Sequence, residues 1–331
     1  MTAPPTEIAV HRHPGGTPQR MGFFTDTTLC IGCKSCEVAC KQWNDLPADG
    51  YDARGRSFDH TGSLSAATWR HVHFVEIPPE ARPGPEVAQA PLGDEAAGGA
   101  GGRIPHIPAA GAMGAARGDL DLVALADSGA LPEAEIERWL FASDVCKHCT
   151  NAGCLDACPT GALIRTEFET VFVQPDVCNG CGYCVTACPF GVIDRDPYDG
   201  RAAKCTLCYD RLQDGLEPAC AKACPTDSIQ FGPYDELVER AERRVVELHE
   251  RGLESAYLYG AGDEGPDQLA GGLGAFFLLT EPPERFGLPA HADSPIQANM
   301  PVATAAGLAA GVTAAATAVA SLLIAHRRRR R

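Results

Sequence analysis

Positive charge is what this sequence has little of. Its 331 residues include 28 Lys or Arg against 43 Asp or Glu, a formal net charge of −15. A surface of that sign argues against nucleic acid as the main partner, because phosphate binding needs a basic face. Lysine is the rarer cation, with five in the whole chain, and there are only three Trp and four Met. Long apolar runs are nearly absent, which excludes a polytopic membrane protein, while 45% hydrophobic and 21% charged residues exclude wholesale disorder. No nucleotide fingerprint, phosphate loop or nucleophile elbow is present; the Gly-rich run 98–102 lacks a strand-turn-helix setting. No small-molecule substrate of its own and no catalytic residue are therefore expected. The length suits two domains of roughly 100–200 residues each.

What the chain does have is cysteine. Sixteen fall into four groups of four with none left over. Group one is Cys30, Cys33, Cys36 and Cys40; group two is Cys146, Cys149, Cys154 and Cys158; group three is Cys178, Cys181, Cys184 and Cys188; group four is Cys205, Cys208, Cys220 and Cys224. Groups one and three match the bacterial ferredoxin run Cys-x2-Cys-x2-Cys-x3-Cys, and Pro159, Pro189 and Pro225 follow the last Cys of groups two, three and four. Three thiolates at two-residue intervals wrap one loop around three irons of a cubane. The fourth, expected to open a helix pointing away, ligates the neighbouring cluster. Sixteen ligands read as four 4Fe-4S clusters.

Competing readings fit less well. Disulfides do not require x2 and x3 intervals repeated in every group. Structural zinc with four Cys also uses sixteen ligands, but the triple run with its fourth Cys and Pro points to iron and sulfur. A thioredoxin-like Cys-x2-Cys would stand alone. The radical-enzyme run Cys-x3-Cys-x2-Cys fails, since Trp43, Gly161, Gly191 or Asp227 stands where its third Cys would fall.

Internal repetition suggests the architecture. Pro159–Leu163, Pro189–Ile193 and Pro225–Ile229 are three copies of one unit leading into short β-type runs. Ala162–Ile164 and Thr170–Val173 read as hairpin strands flanking Glu167–Glu169. Groups two and three then form one two-cluster module, and groups one and four pair around it. The expected ligand sets are Cys30, Cys33, Cys36 and Cys224; Cys40, Cys205, Cys208 and Cys220; Cys146, Cys149, Cys154 and Cys188; and Cys158, Cys178, Cys181 and Cys184. The expected fold class is α+β: two nested ferredoxin-like two-cluster modules with a single C-terminal transmembrane helix.

Expected boundaries follow. Residues 1–22 are a Pro-containing flexible extension with no apolar signal segment or twin Arg. One module takes 23–77 and 200–233, the other 140–199, and an Ala/Gly/Pro-rich insertion fills 78–118. Residues 234–300 form a helix and extension, with Leu237, Val238, Ala241, Val245 and Leu248 at helical spacing. Val302–Ala325 has no charged side chain and is about 36 Å long as a helix, enough to cross a hydrocarbon core of about 30 Å. Eleven of its 24 residues are Ala, weak for a lone anchor, and Gly307 and Gly311 suit close contact with another membrane helix. A soluble Ala-rich helix is the alternative. The tail 326–331 carries five Arg, which by the positive-inside rule stay cytoplasmic and put the body, of formal charge −20, on the far side. Export then needs a partner that carries a twin-arginine signal.

All five lysines lie beside cysteines: Lys34, Lys41, Lys147, Lys204 and Lys222. An ammonium beside an anionic cluster favours its reduced form and raises its potential; the alternative is that these are surface positions. His148 reads as solvated or hydrogen-bonded rather than as a ligand, because the cysteine count is complete.

Leu29–Cys36, Gln42–Leu46, Lys204–Arg211, Glu217–Cys220 and the Ala241–Tyr259 region closely resemble the iron-sulfur β subunit of respiratory, membrane-bound formate dehydrogenase. The resemblance runs from about Phe23 to Pro289 and includes the terminal helix. It implies a non-catalytic electron-transfer subunit. Its partners would be a molybdenum or tungsten bis-pterin catalytic subunit and a membrane cytochrome b or polysulfide-reductase-type quinone subunit. All sixteen ligands are Cys, unlike nitrate reductase relatives with one Trp. The long insertion before Cys146 and the short basic tail depart from the family pattern. A subunit of another molybdoenzyme, of polysulfide, thiosulfate or dimethyl sulfoxide reductase type, and a freestanding polyferredoxin are the other classes.

Overall fold

The computed structural model describes residues 19–48, 58–59, 61–77, 138–262 and 269–330. The chain divides into a main unit, Met1–Val75 with Leu140–Arg331, and a second, Glu76–Trp139. Of the second only the ends of two strands are described, and the expected insertion 78–118 lies outside the described residues.

Two apolar runs organise the main unit. Met21–Asp26 forms β1, buried at all six positions, so the strand begins inside the segment expected to be a flexible extension; residues 1–18 lie outside the described ones. Its partner is remote in sequence. Ala275–Leu279, also buried throughout, runs parallel to β1 with Phe23 opposite Ala275 and Asp26 opposite Leu278. A central strand covered on both faces reads as a continuous apolar run rather than an alternation. Strand Ile229–Pro233 flanks β1 antiparallel and Tyr257–Tyr259 flanks Ala275–Leu279, giving a four-stranded sheet. The amphipathic helix Tyr234–Glu250 buries Leu237, Ala241 and Leu248, as its spacing predicts, and packs against β1. Its Arg244 reaches the buried Asp26 carboxylate at 2.9 Å.

The cysteine-bearing segments are short helices and turns. Helix α1 is Ser35–Trp43; strands β2, Arg70–Ile77, and β3, Arg138–Val145, pair as a two-stranded sheet. Then follow α2, Gly153–Asp156; the antiparallel hairpin β4, Leu163–Arg165, and β5, Val171–Val173; α3, Tyr183–Ala187; the pair β6, Asp194–Arg195, and β7, Ala202–Ala203; α4, Tyr209–Gln213; and α5, Ala219–Lys222. The hairpin expected around Glu167–Glu169 is present, one residue inward at its start.

The last element is helix Pro295–Arg329, long and apolar enough to cross a membrane and with no buried residue. It starts seven residues before the expected span and carries the Arg run as far as Arg329. Asp156 anchors its first turn by accepting from Ser294 Oγ at 3.0 Å and Gln297 Nε2 at 2.9 Å. Along the span the hydroxyls of Thr304, Thr313, Thr317 and Ser321 donate to carbonyls one turn back at 2.7–2.8 Å. Lipid offers no partner to polar groups, so this internal satisfaction is what a spanning helix requires.

Candidate metal centres

Each Cys-x2-Cys loop is built on the same backbone device. The residue before the second Cys is left-handed in every group: Gly32 at φ 66°, His148 at 44°, Gly180 at 73° and Leu207 at 58°. The turn aims consecutive thiols inward, and only glycine enters that region without steric cost. Three residues after the last Cys of groups two, three and four, Gly161, Gly191 and Asp227 are left-handed as well, at φ 68°, 62° and 53°. The sequence repeat is therefore also a conformational repeat.

The third Cys of every group sits on a short helix: Cys36 on α1, Cys154 on α2, Cys184 on α3 and Cys220 on α5. The fourth does not open a helix, contrary to expectation. Cys40 lies within α1, Cys188 caps the end of α3, and Cys158 and Cys224 lie just past the ends of α2 and α5. With an x3 interval, the third and fourth thiols are about one helical turn apart, which separates them along the axis. The helices pack in pairs, α1 with α5 and α2 with α3.

Two cavities show what this brings together. One is lined by Cys30, Cys33, Cys36 and Cys224, with Lys34, Val72, Ser143 and Ile229 among its walls. The other is lined by Cys146, Cys149, Cys154 and Cys188, with Lys147, His148, Val171 and Phe190. Neither wall contains a carboxylate. Among the remaining eight cysteines, Cys205 interacts electrostatically with Cys40, Cys208 and Cys220, and Cys184 with Cys178, Cys158 and Cys181. Interactions between these quartets form a line: Cys36 with Cys220, Cys205 with Cys146, and Cys154 with Cys184.

All sixteen cysteines are free thiols. Among the described residues no three Cys, His, Asp or Glu side chains converge as ligands of a single ion. Zinc, with Zn–S near 2.3 Å, needs such convergence; four thiols around a shared void with a cation at its edge fit a larger anionic cluster instead. Burial pushes the Cys36, Cys40 and Cys154 thiols up to about 12 and Cys184 and Cys208 to about 11. At neutral pH these groups hold their protons until iron displaces them, so cluster insertion releases protons.

The lysines do not behave alike. Lys222 is exposed and Lys34 partly so, 3.5 Å from Glu37. Lys41 donates to the Pro47 and Ala67 carbonyls at 3.0 and 2.9 Å. Lys147 and Lys204, however, are buried, which corrects the surface reading for those two. Lys147 pairs with Asp144, whose carboxyl is held well below the usual range: burial raises it, and Lys147 and His73 outweigh that. Lys204 donates to the Val171 and Cys205 carbonyls. His148 is hydrogen-bonded as expected, its Nδ1 accepting from Val171 N at 3.1 Å, but it is buried rather than solvated. Burial, followed by Lys204, Arg165 and Arg70, drives its imidazole well below its ordinary value, so it is neutral. Sulfur also receives polar contacts: Ser143 Oγ lies 3.2 Å from Cys36 Sγ, Ala202 N donates to Cys178 Sγ at 3.4 Å and Leu207 N to Cys205 Sγ at 3.3 Å.

Family models described as 4Fe-4S dicluster domains match residues 29–162 and 137–234. Among curated proteins the chain is 35% identical over 235 residues to the formate dehydrogenase iron-sulfur subunit of Haemophilus influenzae, covering 71% of this chain and 58% of that one. It is 30% identical over 216 residues to the B subunit of the anaerobic dimethyl sulfoxide reductase of Escherichia coli, covering 65% and 75%. The chain belongs to this family of 4Fe-4S dicluster iron-sulfur subunits. The formate dehydrogenase-O iron-sulfur subunit of Escherichia coli is 34% identical over 245 residues, covering 73% of this chain. This iron-sulfur subunit spans 58% and 62% of the length of the two formate dehydrogenase relatives. Two dicluster domains imply four 4Fe-4S clusters, and the count of sixteen cysteines is consistent with that number.

Sequence reasoning missed Arg70, which lies among groups one and four on β2 with 1% of its surface exposed. An isolated Arg beside Trp69 carries no local signal of burial.

Proposed function

We propose that this chain is the electron-transfer subunit of a formate dehydrogenase complex, non-catalytic on its own. The observation that carries the reading is the make-up of the two cavities, each combining three thiols of one group with the last thiol of another. It supports the nested arrangement, with groups one and four (23–77 and 200–233) around groups two and three (140–199). It also supports the ligand sets Cys30, Cys33, Cys36, Cys224 and Cys146, Cys149, Cys154, Cys188, and the electrostatic interactions of Cys205 and Cys184 support Cys40, Cys205, Cys208, Cys220 and Cys158, Cys178, Cys181, Cys184. When bound, the clusters supply one-electron redox chemistry. The protein's own part is to hold thiolates in a dry core, where charge and hydrogen bonds to sulfur set the potentials.

The line of electrostatic interactions between quartets supports an order, from the Cys30 set through the Cys40 and Cys146 sets to the Cys158 set. The terminal helix starts on α2, which leads directly into Cys158, so the Cys158 end of that line faces the membrane and the Cys30 end faces a molybdenum or tungsten bis-pterin catalytic subunit. The acceptor is a membrane cytochrome b or quinone subunit packed on the small-residue face at Gly307 and Gly311. The Arg-rich tail supports a single pass with the body extracytoplasmic; protease added to spheroplasts should then digest the body.

The test is the complex isolated from membranes. Formate should reduce the clusters and, through them, a quinone. The similarity to a dimethyl sulfoxide reductase subunit favours a second reading, in which quinol reduces the clusters and formate does not.

A further inference from the structure

Arg70 is the largest fully buried side chain among the described residues. A guanidinium is always charged in proteins, so it cannot escape burial by losing a proton. Its Nη1 donates to Ser143 Oγ at 3.1 Å and reaches Ser143 O at 3.4 Å, and its carbon lies 4.8 Å from the Phe23 ring centre. Nε and Nη2 are buried with no hydrogen-bond partner. No carboxylate among the described residues pairs with it. A buried cation left without a counter-charge is not sustained unless something anionic is close.

The surroundings supply that anion. Helices α1 and α5 pack together and carry Cys36 and Cys220 into one core, where Phe23 also lies, and Cys40 is buried on α1. Ser143 Oγ links Arg70 Nη1 to Cys36 Sγ, 3.2 Å beyond it. The sulfur groups that interact most with Arg70 are Cys220, Cys36, Cys205 and Cys40. These belong to the two ligand sets assigned above to groups one and four, and the inference rests on that reading.

We infer that Arg70 is a positioning cation, with Ser143 as its link to Cys36, that raises the reduction potentials of the two clusters held by groups one and four. Reduction adds negative charge to an already anionic cluster, and a fixed positive charge in a poorly screened core favours that state. The orphaned Nε and Nη2 are then donors toward cluster atoms, and the cluster is the counter-ion that keeps Arg70 buried. Within groups two and three the interacting cations are Lys147, at Cys149 and Cys188, and Lys204, at Cys154.

The test is a potentiometric titration of the membrane complex followed by electron spin resonance, on wild type, Arg70→Gln, Arg70→Lys and Ser143→Ala. Gln keeps donors but loses the charge; two of the four clusters should shift at least tenfold toward oxidation, which is 59 mV for a one-electron couple. Lys should hold both near the wild-type values. A fully loaded Arg70→Gln complex with unmoved potentials would overturn the inference, as would Gln and Lys shifting alike, the mark of a purely structural role. Should Arg70→Gln fail to load its clusters, Ser143→Ala decides: a fall confined to the cluster of Cys36 supports the link, and no fall, or an equal fall in all four, overturns it. A wild-type complex lacking reduced 4Fe-4S signals would overturn the ligand reading itself, and the inference with it.

Discussion

The Lys147–Asp144 pair offers a calculable perturbation. Lys147 Nζ is wholly buried against the Asp144 carboxylate and donates to Val145 O at 2.8 Å; the Asp144 side chain is only 11% exposed. Lys147→Met keeps the volume but leaves a buried carboxylate with only the Val145 N–H, at 2.8 Å, and His73, at 3.8 Å, as its remaining partners. Breaking a buried pair on one side costs about 3–5 kcal/mol. At about 2–4 °C per kcal/mol for a unit of this size, the apparent Tm should fall by about 6–20 °C. The double variant Lys147→Met/Asp144→Asn retains the acceptor for Val145 N and strands no charge, so it should recover most of the loss. Circular dichroism together with cluster absorbance on heating is the assay. A single variant that melts within about 2 °C of wild type, or a double variant as unstable as the single, would refute the reasoning. The pH sign follows from the depressed Asp144 value. The pair's contribution is present above the unfolded carboxyl value of about 3.9 and disappears as pH falls below it.

Gly180 combines φ +73° with a Cβ that would sit 2.6 Å from Gly200 O, so Gly180→Ala should empty the cluster of Cys178, Cys181 and Cys184, read as lost iron. Gly161 has φ +68° and open space, so Gly161→Ala should cost only about 1–2 kcal/mol and keep full iron content. Asp156→Ala removes both acceptor contacts to the terminal helix and should speed proteolysis around residues 287–294 without changing the cluster signals. Stripping the iron leaves buried thiols whose values burial raises to about 12. Any cluster-free fold should therefore lose stability, seen as falling Tm, as pH rises from about 8.5 toward 12.

What the sequence revealed and what it concealed divide by range. The quartets are legible because cluster ligands must recur at fixed short intervals, and the hairpin, the amphipathic helix and the apolar span are equally local patterns. The central pairing of Phe23 with Ala275 joins segments some 250 residues apart, and neither run alternates, so periodicity gave no sign of it. Cys158, Cys188 and Cys224 fall at or past their helix ends, and Cys40 inside α1, because the x3 interval fixes thiol separation and not where on a helix the fourth cysteine sits. Burial of Arg70 beside Cys36 and Cys220, and of Lys204 against the Val171 carbonyl, depends on segments remote in sequence, which composition cannot register.

The crossed ligand sets are the central claim, and two serine variants test them most directly. Spin-resonance spectra of Cys40→Ser and Cys224→Ser should show two different clusters perturbed, the Cys205 set in the first and the Cys30 set in the second. Perturbation of one and the same cluster by both substitutions would contradict the account.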